Sequence, residues 1–254
     1  MTIENLEEYQ DPIQYDKEHV AYDEDISYLT KSADKATGPI VDLACGTGRA
    51  TIPLAKAGNS IVGVDLHRGM LRRAREKAVA EKLDIGFIEQ DCTKLELGLK
   101  SDFIFMVGNS FQHFLTNEAQ DKLLESIQRH LVKGGRFLFN TRFPGEEELV
   151  STNDEEPGFS YKDGKLSVHV SYISEYDALN QVQHNITIRR FFDANGKLQD
   201  EKRSVIDLRF VFPLEMERLL EKHGFTIEGV YQDWNESPLT SNASKMVYLC
   251  KKIN

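Results

Sequence analysis

The sequence predicts an α/β protein with a doubly wound, mostly parallel seven-stranded sheet and an antiparallel β insert. Short apolar runs alternate with helical patterns between residues 40 and 139, which is typical of strands buried on both faces of a parallel sheet. Right-handed crossovers make such a sheet doubly wound. A stretch with a period of two follows at 161–212, before a last helix and two more strands.

The seven strands of the main sheet are predicted from seven apolar runs. Between them, helices are predicted over 50–57, 69–82 and 118–131, and Gly134-Gly135 is expected to end the third helix. A further helix is predicted over 213–223, ended by Gly224. The runs are 40–44, 61–64, 85–88, 103–107, 136–139, 225–230 and 246–250.

The insert is predicted to be an antiparallel meander with one wet face. Residues 145–158 are acidic and polar and are predicted to form a loop. In the strand that follows Gln181, the side chains of Val182, His184, Ile186 and Ile188 share one phase, so His184 is assigned to the core. The run Asp193-Ala194-Asn195-Gly196 predicts a turn between two strands.

These patterns divide the chain into three parts. Residues 1–35 are expected to form a helical segment over the site, and residues 36–144 with 213–254 form the sheet domain. Residues 145–212 are expected to roof the site, to contact substrate or to pair two subunits. We therefore expect a monomer or a homodimer that associates through the insert.

Composition excludes several classes of function. The net charge of −10 over 254 residues has the wrong sign for whole-molecule attraction to nucleic acid. The sequence has no apolar stretch of roughly 18 residues that could span a membrane, and Met1–Gln10 does not resemble a signal peptide. Three scattered cysteines predict neither a disulfide framework nor a zinc site, so we expect a cytoplasmic protein with no metal, membrane or nucleic-acid partner.

The loop after the first strand carries the strongest functional signal. Asp42 precedes Gly46-Thr47-Gly48, and a helix pattern follows. Glycines allow a ligand to approach the main chain, and a helix N-terminus offers free N–H groups. A carboxylate at Asp42 would repel a diphosphate and attract an ammonium group. Thr51 also departs from the third glycine of the dinucleotide fingerprint.

Two further acids follow the next strands. Asp65 ends the second strand, where a carboxylate ordinarily accepts from ribose hydroxyls. Asp91 follows the third strand, where it can accept from an exocyclic adenine amine, with Leu66 and Met70 against the faces of the base. One acid each for an amine, a ribose and a base predicts an adenosyl amino acid as ligand.

These motifs resemble those of the class I S-adenosylmethionine-dependent methyltransferases. The matching stretches are 41–48, 62–71, 90–92 and 103–113, and further likeness to a bacterial small-molecule subgroup lies at 15–16, 22–25, 109–115 and 233–238. The resemblance implies a Rossmann-like sheet and S-adenosylmethionine as cofactor, with S-adenosylhomocysteine as product. It implies that these residues bind the cofactor: Tyr15, Tyr22, Asp42, Ala44, Gly46, Thr47, Gly48, Asp65, Leu66, Met70, Asp91, Cys92, Val107 and Gly108.

Tyr15 and Tyr22 are seven residues apart, so we expect them on one face of one helix, closing over the cofactor. His113 follows the fourth strand and is the candidate catalytic base for a small-molecule acceptor. Arg142 could bind an anionic substrate group or an acid of the following loop.

Two other functions remain open. The first is a non-catalytic sensor or scaffold that binds the same cofactor. The second is a nicotinamide-dependent oxidoreductase, which Asp42 and Thr51 disfavour.

Overall fold

The computed structural model describes residues 5–150 and 154–253, and its elements alternate as the sequence predicts. The helices in this part of the chain are α1 (Pro12–His19), α2 (Ile26–Ala33), α3 (Thr51–Lys56), α4 (Arg68–Ala80), α5 (Asn117–His130) and α6 (Pro213–Lys222). The strands are β1 (Ile40–Leu43), β2 (Ile61–Asp65), β3 (Gly86–Glu89), β4 (Ser101–Met106), β5 (Leu131–Arg142), β6 (Glu156–Asp163), β7 (Leu166–Asp177), β8 (Val182–Phe192), β9 (Leu198–Arg209), β10 (Phe225–Tyr231) and β11 (Lys245–Lys252).

The main sheet has seven strands in the order β10-β11-β5-β4-β1-β2-β3. Neighbouring strands are parallel from β5 to β3, whereas β11 runs antiparallel to both β5 and β10. The predicted fold class is therefore confirmed. The chain order reverses at β1 and β4, and in such a sheet ligands bind beyond the carboxyl ends of the strands at that point.

Helices cover both faces of this sheet. One buried apolar cluster joins the sheet to α5 and α6 through residues such as Ile127 and Leu220, and another joins it to α2 and α3 through Leu29 and Leu54. Burial on both faces explains why β1 reads as a continuous apolar run. Among the described residues, no helix is long and apolar enough to cross a bilayer.

The insert between β5 and α6 is a second, four-stranded antiparallel sheet in the order β6-β7-β8-β9. The turn predicted at 193–196 joins β8 to β9. Gln183, Asn185, Thr187 and Arg189 of β8 lie on the same face as Tyr172 of β7 and Ile206 of β9, because Thr187 pairs with Tyr172 and Asn185 pairs with Ile206. The predicted core position of His184 is wrong, since its side chain is exposed and bonded to Asp207 at 2.7 Å.

Two predicted boundaries are also wrong. Gly134-Gly135 does not end α5, which stops at His130, and both glycines lie within β5. Neither glycine pairs with a neighbouring strand of the described chain, because β5 pairs with β4 at Leu131 and again from Arg136, and with β11 only from Arg136 onward. The glycines therefore lie in an irregular stretch of β5, where Gly134 has φ +77°. The predicted loop at 145–158 contains a short 3₁₀ turn at Glu146–Leu149, and β6 already begins at Glu156.

Candidate active site

A narrow cavity lies beyond the carboxyl ends of β1, β2 and β4, and we name it the strand-end cavity. The predicted site residues that line it are Tyr15, Asp42, Ala44, Gly46, Thr47, Asp65, Met70, Val107, Gly108 and His113. The other lining residues are Leu6, Tyr9, Cys45, Arg49, Ala50 and Ser110. The fold thus brings together side chains from three strand ends and from residues 5–35, which we call the N-terminal segment.

The turn after β1 depends on backbone conformations that favour glycine. Gly46 has φ +56° and Gly48 has φ +79°, and a Cβ at Gly48 would lie 3.2 Å from Cδ1 of Ile52 in α3. The backbone N–H of Gly46 donates to Asp65 Oδ2 at 2.8 Å. Gly48 is therefore required by the turn geometry, although it does not itself line the cavity.

Asp42 is a fully buried carboxyl in the wall of the strand-end cavity. Its side chain is 1% exposed, and the Thr51 hydroxyl donates to its Oδ2 at 2.6 Å. Burial raises the pKa of Asp42 to about 7, although the hydrogen bond from Thr51 opposes this rise. The nearby cation, Arg49, already forms a bidentate ion pair with the buried Asp25, with one contact of 2.7 Å. Asp42 is thus suited to a cationic ligand.

Asp65 stands at the end of β2 and accepts from main chain with both oxygens. Gly46 N–H reaches Oδ2, and His67 N–H reaches Oδ1 at 2.7 Å. Burial raises the pKa of Asp65, and the two backbone hydrogen bonds work against that rise. Each carboxylate oxygen has a second lone pair, so this group can still accept from a ligand hydroxyl.

The N-terminal segment closes the cavity from the opposite side. Tyr9 and Tyr15 contact each other edge to face, with ring centroids 5.7 Å apart. Asp16, the next residue of α1, accepts from the Thr47 hydroxyl at 2.6 Å and from Arg73 of α4 at 2.8 Å. These contacts fasten α1 to the glycine turn.

His113 is buried beside this segment. Its Nε2 lies 2.8 Å from the Tyr9 hydroxyl, and its Nδ1 is without a partner among the described residues. Burial lowers the pKa of His113 to about 4, so the imidazole is neutral at physiological pH. A neutral ring here is a hydrogen-bond acceptor and a weak base.

Five predicted site residues do not line the strand-end cavity: Tyr22, Gly48, Leu66, Asp91 and Cys92. Tyr22 does not share a helix with Tyr15, because α1 ends at His19. Its hydroxyl instead accepts from Trp234 Nε1 at 3.2 Å, and Arg49 lies over its ring. Asp91 begins a 3₁₀ turn and accepts from Thr93 N–H at 2.9 Å.

Sequence reasoning missed six of the residues that line this cavity. Leu6 and Tyr9 belong to the N-terminal segment, where only fragments resembled the family. Arg49 and Ala50 directly follow Gly48, and no motif singled them out as ligand contacts. Cys45 and Ser110 also line the cavity, and Cys45 is buried.

A second cavity of about 980 Å³ lies between the N-terminal segment and the insert, and we name it the insert cavity. Glu8 and Glu18 line it, whereas their neighbours Tyr9 and Tyr15 line the strand-end cavity. Tyr15 stacks on His19 of the insert cavity with ring centroids 4.1 Å apart. Residues 8–19 therefore lie between the two cavities.

Comparison with known proteins assigns the class. The family model described as a methyltransferase domain matches residues 40–135, the stretch from β1 into β5 that contains the glycine turn and Asp65. A Geobacillus sp. (strain WCH70) protein named "Putative methyltransferase GWCH70_2453" is 24% identical over 220 residues, 84% of each chain. Residues 40–135 therefore match a methyltransferase domain, and the fold of the chain is that of the class I S-adenosylmethionine-dependent methyltransferases, whose cofactor is S-adenosylmethionine.

Solved structures share the fold over nearly the whole chain. An S-adenosylmethionine-dependent methyltransferase from Clostridium acetobutylicum superposes with a TM-score of 0.78 at 20% identity, covering 95% of this chain and 97% of that one. CalS10 of Micromonospora echinaspora, an amino pentose methyltransferase solved with S-adenosylmethionine, gives 0.74 at 14% identity, covering 96% and 98%. At these identities the likeness shows the fold, including the insert.

Proposed function

We propose that this protein transfers a methyl group from S-adenosylmethionine to a small-molecule acceptor by in-line displacement. The observation that carries the proposal is the strand-end cavity, where two carboxyls, the buried Asp42 and the partly buried Asp65, flank a glycine turn at the switch point of the sheet. A diphosphate is repelled by two adjacent carboxylates, whereas a cationic amino acid with an attached ribose satisfies both.

The residues fit this cofactor one by one. Asp42, which has no ion pair with a cation among the described residues, would hold the ammonium group, and Asp65 would accept from the ribose hydroxyls. Gly46 has φ +56° and no side chain, so the main chain can approach the ligand closely here. Met70 and Leu66 would contact the adenine, and Asp91 would accept from its amine.

The cavity must widen before a ligand of this size can bind. It measures about 60 Å³, far below the roughly 300–1,000 Å³ of ordinary ligand sites. Leu6, Tyr9 and Tyr15 fill the space from the N-terminal side. We therefore expect residues 6–15 to move outward when the cofactor enters and to exclude water after they return.

The chemistry asks little of the protein beyond position. The bound sulfonium supplies an activated methyl group, so the acceptor must be held in line and kept dry. His113 lies beside the cavity wall at Val107-Gly108, and its neutral imidazole can accept a hydrogen bond from the acceptor's nucleophilic group. We assign it an orienting role and the removal of the acceptor's proton during transfer.

A small acceptor is supported by the insert cavity and by the relatives. The insert cavity has a volume of about 980 Å³, which is at the upper end for small-ligand sites and is too small for a folded macromolecule. CalS10 is named an amino pentose methyltransferase, and KedS8 from Streptoalloteichus is named a sugar N-methyltransferase.

The first test is ligand-dependent stability. S-adenosylhomocysteine at a hundredfold excess over its Kd should stabilise the protein by about 2.7 kcal/mol, and NADH should not. Stabilisation by NADH alone would support the oxidoreductase and remove the methyltransferase.

A screen with [methyl-³H]-S-adenosylmethionine and pooled metabolites then separates an enzyme from a cofactor-binding sensor. Once an acceptor is found, His113→Asn should lower kcat at least tenfold and leave the Kd of S-adenosylhomocysteine within twofold. An unchanged kcat would remove His113 from the mechanism.

A further inference from the structure

The insert cavity has an excess of negative charge in its walls. Among the residues that the structure describes, five carboxylates line it against two guanidinium groups, and one of those, Arg142, already pairs with Glu148. The five are Glu8, Glu18, Glu147, Glu148 and Glu156. Because Glu147 and Glu156 stand at the exposed rim, they extend this negative charge to the mouth of the cavity.

The deepest charges leave one carboxylate uncompensated. Arg189 donates to Glu18 through Nε at 2.7 Å and through Nη2 at 2.8 Å, and it also contacts Glu8. The Arg189 side chain is only 5% exposed and that of Glu18 only 4%. One guanidinium therefore serves two carboxylates in a poorly solvated place, where an added cation gains more electrostatic free energy than it would in water.

An independent feature points to a hydrogen-bond donor as ligand. Gln183 of β8 is 4% exposed and lines the same cavity, and its Oε1 has no hydrogen-bond partner among the described residues. Its amide nitrogen is held 3.4 Å from the Glu148 carbonyl oxygen, which fixes Oε1 as the free end. A buried carbonyl oxygen without a donor is unfavourable, so a ligand N–H that reaches it is favoured.

The apolar part of the lining suits the carbon skeleton of such a ligand. Phe159 and Tyr172 present aromatic rings, and Ile206 and Leu208 add aliphatic surface from β9. Aromatic faces attract ammonium groups as well as apolar atoms. The walls therefore combine hydrogen-bond acceptors, negative charge and aromatic surface.

We propose that the insert cavity binds the methyl acceptor and that this acceptor is a small cationic organic amine. The inference rests on the proposed function, because it takes the acceptor as its ligand. Glu8, Glu18 and Gln183 recognise the ammonium group, and the rim glutamates draw it in. Anionic molecules of the same size are excluded by the same charges.

The test uses sets of matched probes on protein saturated with S-adenosylhomocysteine. Each set holds an amine, a neutral analogue and a carboxylate of similar size: glucosamine, glucose and glucuronate; cyclohexylamine, cyclohexanol and cyclohexanecarboxylate; benzylamine, benzyl alcohol and benzoate. Saturation-transfer NMR at pH 7 measures each Kd. We expect the amine of the best-binding set to bind at least fivefold more tightly than its two counterparts, and 0.3 M NaCl to reduce that preference.

Variants locate the effect. The double substitution Glu147→Gln and Glu156→Gln, and separately Gln183→Met, should each lower the amine preference at least threefold. Glu146→Gln is the matched control, because Glu146 is exposed beside Glu147 but outside the cavity lining. The proposal is overturned if no set prefers its amine, or if both variants keep the preference of the parent protein.

The cofactor assay keeps this result separate from the proposed function. Loss of S-adenosylhomocysteine binding in the parent protein would refute the proposed function itself. Normal cofactor binding without a preference for amines would refute only the acceptor class.

Discussion

The two cavities are built in opposite ways. Most of the strand-end cavity comes from short contiguous motifs, such as 42–50, that a sheet of this topology places at one edge. The insert cavity joins residues far apart in the chain, so that Glu8 and Glu18 meet Arg189 only after the insert has folded onto the N-terminal segment. The residues of the strand-end cavity are typical of a class of proteins, whereas those of the insert cavity can differ without disturbing the main sheet.

The ion pair of the insert cavity gives the largest expected effect. Arg189→Met removes the guanidinium and leaves two carboxylates together, so the free energy of unfolding should fall by about 3–5 kcal/mol. Urea denaturation measures it. The neighbouring Arg190→Met is the control, because Arg190 pairs with the partly exposed Glu155 and Glu201 and should cost at most about 1 kcal/mol. If the two variants lost the same free energy of unfolding, the buried ion-pair network would not be what joins the insert to the N-terminal segment.

Asp42 gives the next largest effect, on the other cavity. Asp42→Asn removes the charge that we assign to the cofactor's ammonium group and should weaken S-adenosylhomocysteine binding 100- to 1,000-fold, measured by calorimetry. The fold should not suffer, because the pKa of about 7 means that ionising Asp42 costs stability in the free protein. At pH 8 the unliganded variant should be more stable by about 1–4 kcal/mol. A variant that loses stability as well as binding would contradict this assignment.

The fold and much of the strand-end cavity could be predicted because the physical signals are local. The apolar run of β1, the glycine turn and Asp65 each follow from a few adjacent residues. The phase of β8 could not be predicted in this way. Gln183 and Arg189 look like solvent-facing residues in sequence, yet the N-terminal segment covers their face and leaves His184 outside.

The prediction that Tyr22 shares a helix with Tyr15 was wrong for a related reason. A spacing of seven places two residues on one helical face only if the helix continues, and α1 stops at His19. Hydrogen bonding of Tyr22 to Trp234 then depends on the far end of the chain. No local pattern carries that information.

The pH dependence of cofactor binding gives a smaller, graded effect. The pKa of Asp42 is raised to about 7, so below that pH the free protein carries a neutral carboxyl that must lose its proton before it can pair with an ammonium. The Kd of S-adenosylhomocysteine should therefore fall up to tenfold for each pH unit from 5 to 7 and level off above. Asp42→Asn should abolish this slope. His113, with a pKa lowered to about 4, should contribute no further step between pH 5 and 8.

Asp91 gives the smallest expected effect and tests how far the cofactor extends along the sheet. Gln90 N–H donates to the Asp65 carbonyl oxygen at 3.1 Å, so Asp91 lies at the strand end next to the ribose position. Its Oδ1 caps the turn at Thr93, and we assign its other oxygen to the adenine amine.

In Asp91→Asn the amide oxygen can keep the cap, while the amide N–H₂ faces the adenine amine donor to donor. S-adenosylhomocysteine should bind about 3- to 10-fold more weakly, the net value of one hydrogen bond. S-inosylhomocysteine has a carbonyl oxygen in place of the amine, so its affinity should fall less in this variant, or should rise. If both ligands keep their parent Kd, Asp91 acts only as the cap of its turn, and the cofactor site ends at Asp65 and Met70.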